Sequence, residues 1–255
     1  MVPLYNGFMF AIYCKELRSY FINAVGYVYT GFFLVLSALI CCFTTIKSAS
    51  YSTSNYFTYM IFAMVVLIPL LTMRLFAEER KLRTEQLLLT APVTLTGMVL
   101  GKFFAALTLF VSTVLISCIN FFPMYSIATI ERDGSYSVTH VGPATSEIVG
   151  RTIGIILLGA AFIAVGLFIS ALTENQLSAA VITLGVLLAM VALSLANSYI
   201  EVYAIRVVID WICVLSRYAG LSYGILDWSA LLYYFSITAV FLFRTIRVYD
   251  RRRWN

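Results

Sequence analysis

The chain has 255 residues, 62% of them hydrophobic and only 11% charged, with 17 Lys and Arg against 12 Asp and Glu. A soluble globular domain is nearer half apolar and a quarter charged, so the composition excludes an ordinary water-soluble fold and points to lipid as the solvent. A single histidine, His140, excludes zinc hydrolases built on HExxH, and the formal charge of +5 is scattered among helix ends, a distribution that argues against nucleic-acid binding.

The predicted elements begin with residues 4–20, where Phe8, Ile12 and Leu17 fall near one helical face and Lys15, Glu16 and Arg18 cluster near the end. That pattern predicts an N-terminal interfacial helix. The apolar run after it is too long for a cleavable signal peptide and reads as a retained span. Uncharged stretches then occupy 19–46, 48–73, 103–130, 152–173, 175–200 and 228–243. About 20 apolar residues cross a hydrocarbon core, and backbone groups in lipid must be satisfied internally, so these runs predict helices. The short alternating segments of a membrane β-barrel are absent. Six spans are placed near 26–46, 56–76, 98–128, 148–172, 177–198 and 228–246, the last reaching full length if Arg244 snorkels to the interface.

Pro69 lies near the end of span two and is expected to bend it. Residues 77–95 follow as a dense charged connector, Glu78-Glu79-Arg80-Lys81-Leu82-Arg83-Thr84-Glu85-Gln86-Leu87-Leu88-Leu89-Thr90-Ala91-Pro92. Thr84 to Thr90 reads as one or two helical turns stopped by Pro92, and Thr94 or Thr96 can cap the next helix. Residues 201–227 are apolar but punctuated by Glu201, Arg206, Asp210, Arg217, Trp211, Tyr218 and Tyr223. Aromatics at headgroup level with charges facing water predict outer helices that dip back without crossing. Arg251-Arg252-Arg253 closes the chain as a basic anchor. No repeat or linker divides residues 1–255, which read as one all-α membrane domain.

Lysine and arginine placement sets the orientation. With both termini inside, the inner side holds Lys15, Arg18, Arg74, Arg80, Lys81, Arg83, Lys102, Arg244, Arg247 and Arg251 to Arg253, and the outer side only Lys47, Arg132, Arg151, Arg206 and Arg217. Cys14, Cys41, Cys42, Cys118 and Cys213 have no metal-ligand spacing and read as small hydrophobes. Gly97-Met98-Val99-Leu100-Gly101-Lys102-Phe103 superficially resembles a phosphate loop, but has one residue too few between the glycines and Phe103 in place of the Ser or Thr. Glu78-Glu79 with Arg83 matches the EExxxR motif of intramembrane CAAX-type proteases, which also need histidines on neighbouring spans; His140 falls on the predicted outer side. The spans are nearly free of ionisable groups, against an ion-coupled transporter. No catalytic residue, metal ligand or substrate-binding residue is nominated.

Two strings carry a resemblance. Lys15-Glu16-Leu17-Arg18-Ser19-Tyr20-Phe21, followed by Gly26-Tyr27-Val28, and EERKLRTEQLLLTAPVTLTGMVLGKFFAA from Glu78 onward are similar to two motifs of ABC type-2 permeases of the gliding-motility and nitrous-oxide-reductase-maturation branches. Arg83 stands where that pattern usually has glycine, Gln86 where it has glutamate, and Gly97 where an acidic residue is common. The resemblance implies a type V ABC exporter fold with N-in/C-in topology and a multi-pass location in the bacterial cytoplasmic membrane. It also implies a cytoplasmic coupling helix seated on a separate ATPase subunit, which would carry the ATP and Mg, since no cofactor is expected in this chain. A second permease subunit, identical or related, would complete the path, with spans two and five at its centre. Partner contact is expected from Glu78, Glu79, Arg80, Arg83, Thr84, Leu87, Leu88, Leu89 and Pro92, and from the helix bearing Lys15, Glu16 and Arg18. The alternatives are a non-transporting scaffold or immunity-type protein and an intramembrane hydrolase.

Overall fold

A computed structural model describes residues 3–46, 53–83, 94–123, 145–197, 214–221 and 227–254. Every regular element among them is helical: α1 Pro3–Ile22, α2 Ala24–Cys41, α3 Ser54–Thr72, α4 Ala77–Lys81, α5 Leu95–Ser117, α6 Thr145–Leu172, α7 Gln176–Ala196, α8 Val214–Leu221 and α9 Trp228–Trp254. Helix α2 runs on into a π-helical turn at Cys42–Ile46, and α5 into a 3₁₀ turn at Cys118–Phe121. Six helices are long and apolar enough to cross a membrane: Ala24–Thr45, Ser54–Lys81, Leu95–Phe121, Thr145–Leu172, Gln176–Ala196 and Trp228–Arg253. The chain is therefore a multi-pass membrane protein.

Three of these helices form the middle of the bundle. Helices α3, α5 and α6 bury more than half of their spanning stretch, whereas α2, α7 and α9 bury less than a third. The reason is written in α6, which is rich in Gly and Ala and packs against α9, α3, α5 and α7. Small residues let backbones approach where lipid supplies no hydrophobic drive between helices. Gly159 faces the Phe110 ring and Met64, and Gly166 faces Thr72, so a β-carbon at either position would collide with its neighbour. Helix α7 buries only the stripe Ala179, Thr183, Leu187 and Val191.

Helix α1 lies along α5, and here the apparent phosphate loop finds its use. Gly97 and Gly101 share one face of α5, where Met9 and Ile12 settle; a β-carbon on Gly101 would come within 3.1 Å of both Ile12 and the Met9 carbonyl. The string is a small-xxx-small packing groove. Thr94, not Thr96, caps α5, its hydroxyl accepting from the Gly97 amide at 3.3 Å. Between α1 and α2 the chain bends at Asn23, and Gly26 sits against the Tyr20 carbonyl, where a side chain has no room.

At the end away from α4, Asn120 donates to Ser37 at 2.9 Å, Phe57 and Phe121 stack, and Tyr56 meets both rings edge to face. Helix α8 closes over this end: Tyr234 donates to the Val214 carbonyl at 2.7 Å, and Tyr218 donates to the Arg151 carbonyl. Burial pushes the Tyr218 phenol well above its usual range. Asp227 starts α9 by accepting from the Ser229 amide and hydroxyl, both at 2.9 Å, and those bonds hold its carboxyl below the usual range. Cys14, Cys41, Cys42 and Cys118 are free thiols. Cys213 and the rest of the predicted re-entrant segment outside α8 and Asp227 lie outside the described residues.

Candidate functional site: a latched helix break

Pro69 does not end the helix of span two. The helix continues through it, gives way to turns at residues 73–76, and resumes as α4. A break there frees backbone groups that lipid cannot solvate, and the structure satisfies them from other helices. The Met73 amide still bonds the Pro69 carbonyl at 2.9 Å, but the Leu75 amide shortens its reach to Thr72 at 3.2 Å. The Leu71 carbonyl accepts instead from the Tyr20 hydroxyl of α1, at 3.2 Å. Burial holds that phenol far above its usual range, with Glu16 adding to the effect, so it stays a neutral donor.

Ser170, near the end of α6, completes the repair. Its hydroxyl oxygen accepts from the Phe76 and Ala77 amides, each at 3.2 Å, and donates to the Met73 carbonyl at 3.3 Å. A hydroxyl has one donor and two acceptor positions, and all three are in use. Phe76 has no local side-chain cap, so Ser170 caps α4 from 94 residues away in sequence.

Lys102 is the second tie. It is 1% exposed, and its Nζ donates to the Leu75 carbonyl at 2.7 Å. The same ammonium lies 2.8 Å from Glu79 of α4, 3.0 Å from Glu16 of α1, and 5.0 Å above the Phe76 ring. Lys15 sits at the margin, 3.8 Å from each carboxylate. A buried ammonium carries a large desolvation penalty, which only close counter-charges and full hydrogen bonding offset. One lysine on α5 therefore holds α1, α4 and the break together.

Two further ties surround the break. Arg74 grips Glu78 through two bonds of 2.7 Å, one turn apart. Arg80 reaches the turn after α6, donating to Glu174 at 2.7 Å and to the Leu172 carbonyl at 3.2 Å. From α9, the Tyr249 ring packs 4.8 Å from Phe76, and Arg252 donates to the Ala171 carbonyl at 2.7 Å.

Glu78, Glu79 and Arg80, expected at a partner contact, make ion pairs within the chain. Glu16 turns inward to Lys102, while Lys15 and Arg18 are exposed. Lys81, Leu82 and Arg83 face outward, Leu82 at 64% exposure. Thr84, Leu87, Leu88, Leu89 and Pro92 lie outside the described residues. Sequence reading assigned no special role to Lys102 or Ser170. The VLGKF string marked the lysine, yet a lone serine at the foot of a span carries no signal of its own. The expectation of spans nearly free of ionisable groups is also revised: Lys102 and Arg151 are both buried within helices. Among the described residues no cluster of His, Cys, Asp or Glu could hold a metal ion.

A family model described as ABC-2 family transporter protein matches residues 18–213, well over half of the chain. The chain belongs to the ABC-2 transporter family. It is a membrane-spanning permease, of a family whose members are typically non-catalytic subunits working with ABC ATPases. The match takes in α4, Lys102 and Ser170 of this permease and ends just before α8. No curated protein matches the chain significantly.

Proposed function

We propose that this permease is the membrane subunit of a bacterial ABC exporter of the gliding-motility and nitrous-oxide-reductase-maturation branch, in the cytoplasmic membrane and with a type V fold. Both termini face the cytoplasm, α1 lies in the inner interface, and α8 belongs to a re-entrant segment on the outer side. Residues 77–95 form the coupling segment for a separate ATPase that binds ATP and Mg. A second permease subunit completes the path, with spans two and five at the centre; α3 leaves Tyr59, Phe62, Val66 and Leu70 exposed along one stripe.

The latched break of span two carries this reading. A loop that only marked topology would need no buried lysine shared between two carboxylates. Here a push on α4 passes through Glu79 and Lys102 to α1 and α5, and through Ser170 to α6. Glu78, Glu79 and Arg80 hold the root of the segment. Docking falls to Lys81, Leu82 and Arg83 and to the Leu87–Leu89 run, which offers apolar surface for a groove. Rim charges there orient more than they bind.

Leu87→Asp tests the assignment. The expected result is loss of ATPase co-purification and of ATP-driven export, with the permease still folded in detergent. Unchanged co-purification and export would sink the coupling role. ATPase retained on the wild-type chain without any export activity would favour the scaffold reading.

A further inference from the structure

The same end of the bundle carries a feature that coupling does not use. An open cavity of about 870 Å³ lies between the foot of α6 and the last turns of α9. Phe168 and Leu172 of α6 and Val248 of α9 form its apolar wall, and four arginines, Arg244, Arg247, Arg251 and Arg252, line it together with one carboxylate, Asp250. Arg244, Arg247 and Arg251 follow at i, i+3 and i+7, so they stand in one row on α9 and extend over about 10 Å at 1.5 Å per residue. The row begins where the uncharged stretch 228–243 ends, the level at which a spanning helix leaves hydrocarbon for headgroups.

The row continues downward as apolar surface. Val240 and Phe243 are exposed on the same side of α9, and the Arg247 guanidinium lies 5.1 Å over the Phe243 ring. The stripe on this side of α9 thus changes from apolar to basic next to the cavity. Among the described residues its charge is offset only in part. Asp250 lies 3.7 Å from Arg247, and Arg252 is turned to the Ala171 carbonyl. Arg244 and Arg251 have no ion-pair partner among the described residues.

We propose that this groove binds an anionic glycerophospholipid, its phosphate held by Arg244, Arg247 and Arg251 and one acyl chain lying along Phe243 and Val240. Guanidinium groups match phosphate oxygens in planar pairs, and a basic pocket between spans at headgroup level favours an anionic lipid over a zwitterionic one. The permease position along the membrane normal and the seating of α9 against α6 would then depend on lipid charge. The inference needs only the membrane assignment, not the coupling assignment.

The test is native mass spectrometry of the full-length permease in detergent, titrated with phosphatidylglycerol and, separately, with phosphatidylcholine. Wild type should retain phosphatidylglycerol preferentially. Arg244→Gln combined with Arg251→Gln should weaken that retention about tenfold or more and leave phosphatidylcholine unchanged. Arg253→Gln, two residues on and therefore across the helix, should behave as wild type. Equal retention of both lipids, or full retention by the double variant, would overturn the proposal. So would displacement of the lipid by millimolar inorganic phosphate, which would mark a free-anion site. Loss of ATPase co-purification with lipid retention intact would instead make the groove a protein contact, and would equally overturn it.

Discussion

Among the described residues of this permease two cations are buried, one toward each end of the bundle, and they are held in different ways. Lys102 meets carboxylates from two other chain segments, Glu16 and Glu79, and the carbonyl of a third, Leu75. Arg151 meets Glu147 one turn away on its own helix, at 3.3 Å, and the Thr53 hydroxyl at 2.9 Å. Both arrangements reach residues distant in sequence, but the first joins two carboxylates from separate segments to one ammonium, whereas the Glu147 carboxylate beside Arg151 comes from its own helix. A force applied to α4 has a rigid polar route into the bundle. The Arg151 end is held by aromatic packing, neutral hydrogen bonds and an ion pair whose carboxylate is 41% exposed. The contrast suits a machine driven from one side.

Lys102→Met should show the largest effect. The substitution keeps the length of the side chain but leaves Glu16 and Glu79 facing each other with little water, a loss of about 3–5 kcal/mol for a broken buried pair. Thermal unfolding in detergent measures it. Adding Glu16→Gln and Glu79→Gln to the same chain should recover most of the loss, because an uncharged cluster has nothing left to repel. An unchanged midpoint in the single variant would remove the distinction between the two ends. Ser170→Ala should come next, at roughly 2 kcal/mol, since it strips acceptors from two buried amides at once. Hydrogen exchange at Phe76 and Ala77 should accelerate while the middle of α3 stays protected. Uniform exchange across α3 would mean that the serine is not what holds the break.

How much of this was legible beforehand differs between the spans and the site. The six apolar runs announce six spanning helices because lipid leaves a backbone few options. The break at residues 73–76 carries no such announcement. Pro69 lies within the helix, four residues before the turns begin, and the break is stabilised by a serine far away in sequence. Glu79 and Lys102 could be read as charges, but not as partners, because spacing within a chain says nothing of pairing across helices. Gly97 and Gly101 were visible as glycines, and only the packing of Met9 and Ile12 shows what their smallness is for. The docking run from Thr84 to Pro92 is argued from sequence alone.

At the opposite end Arg151→Met should cost less, about 1 kcal/mol. Its carboxylate partner Glu147 is 41% exposed and can return to water. The remaining Thr53 hydroxyl is a neutral group. The same unfolding measurement made beside Lys102→Met gives the comparison directly. A loss at Arg151 as large as that at Lys102 would mean that both ends are equally rigid, and the one-sided reading would fail.

The smallest expected effect has the opposite sign. Arg83 follows the last turn of α4 and is the non-glycine residue with positive φ among those described, at 57°. It closes the helix through its amide, which bonds the Arg80 carbonyl at 3.1 Å. That left-handed conformation strains any residue with a β-carbon, by roughly 1–2 kcal/mol, and glycine is the usual occupant of such a helix exit. Glycine also loses more freedom on folding, which takes back about half of the gain. Arg83→Gly should therefore stabilise the permease by roughly 0.5–1 kcal/mol. Arg83→Ala separates the causes: it removes the same charge but keeps the β-carbon, so it should gain nothing. If alanine and glycine stabilise equally, the guanidinium and not the backbone is the source of strain. If only glycine does, this permease keeps a strained arginine at the exit of its latched helix, and the outward-facing charge is the natural reason to keep it.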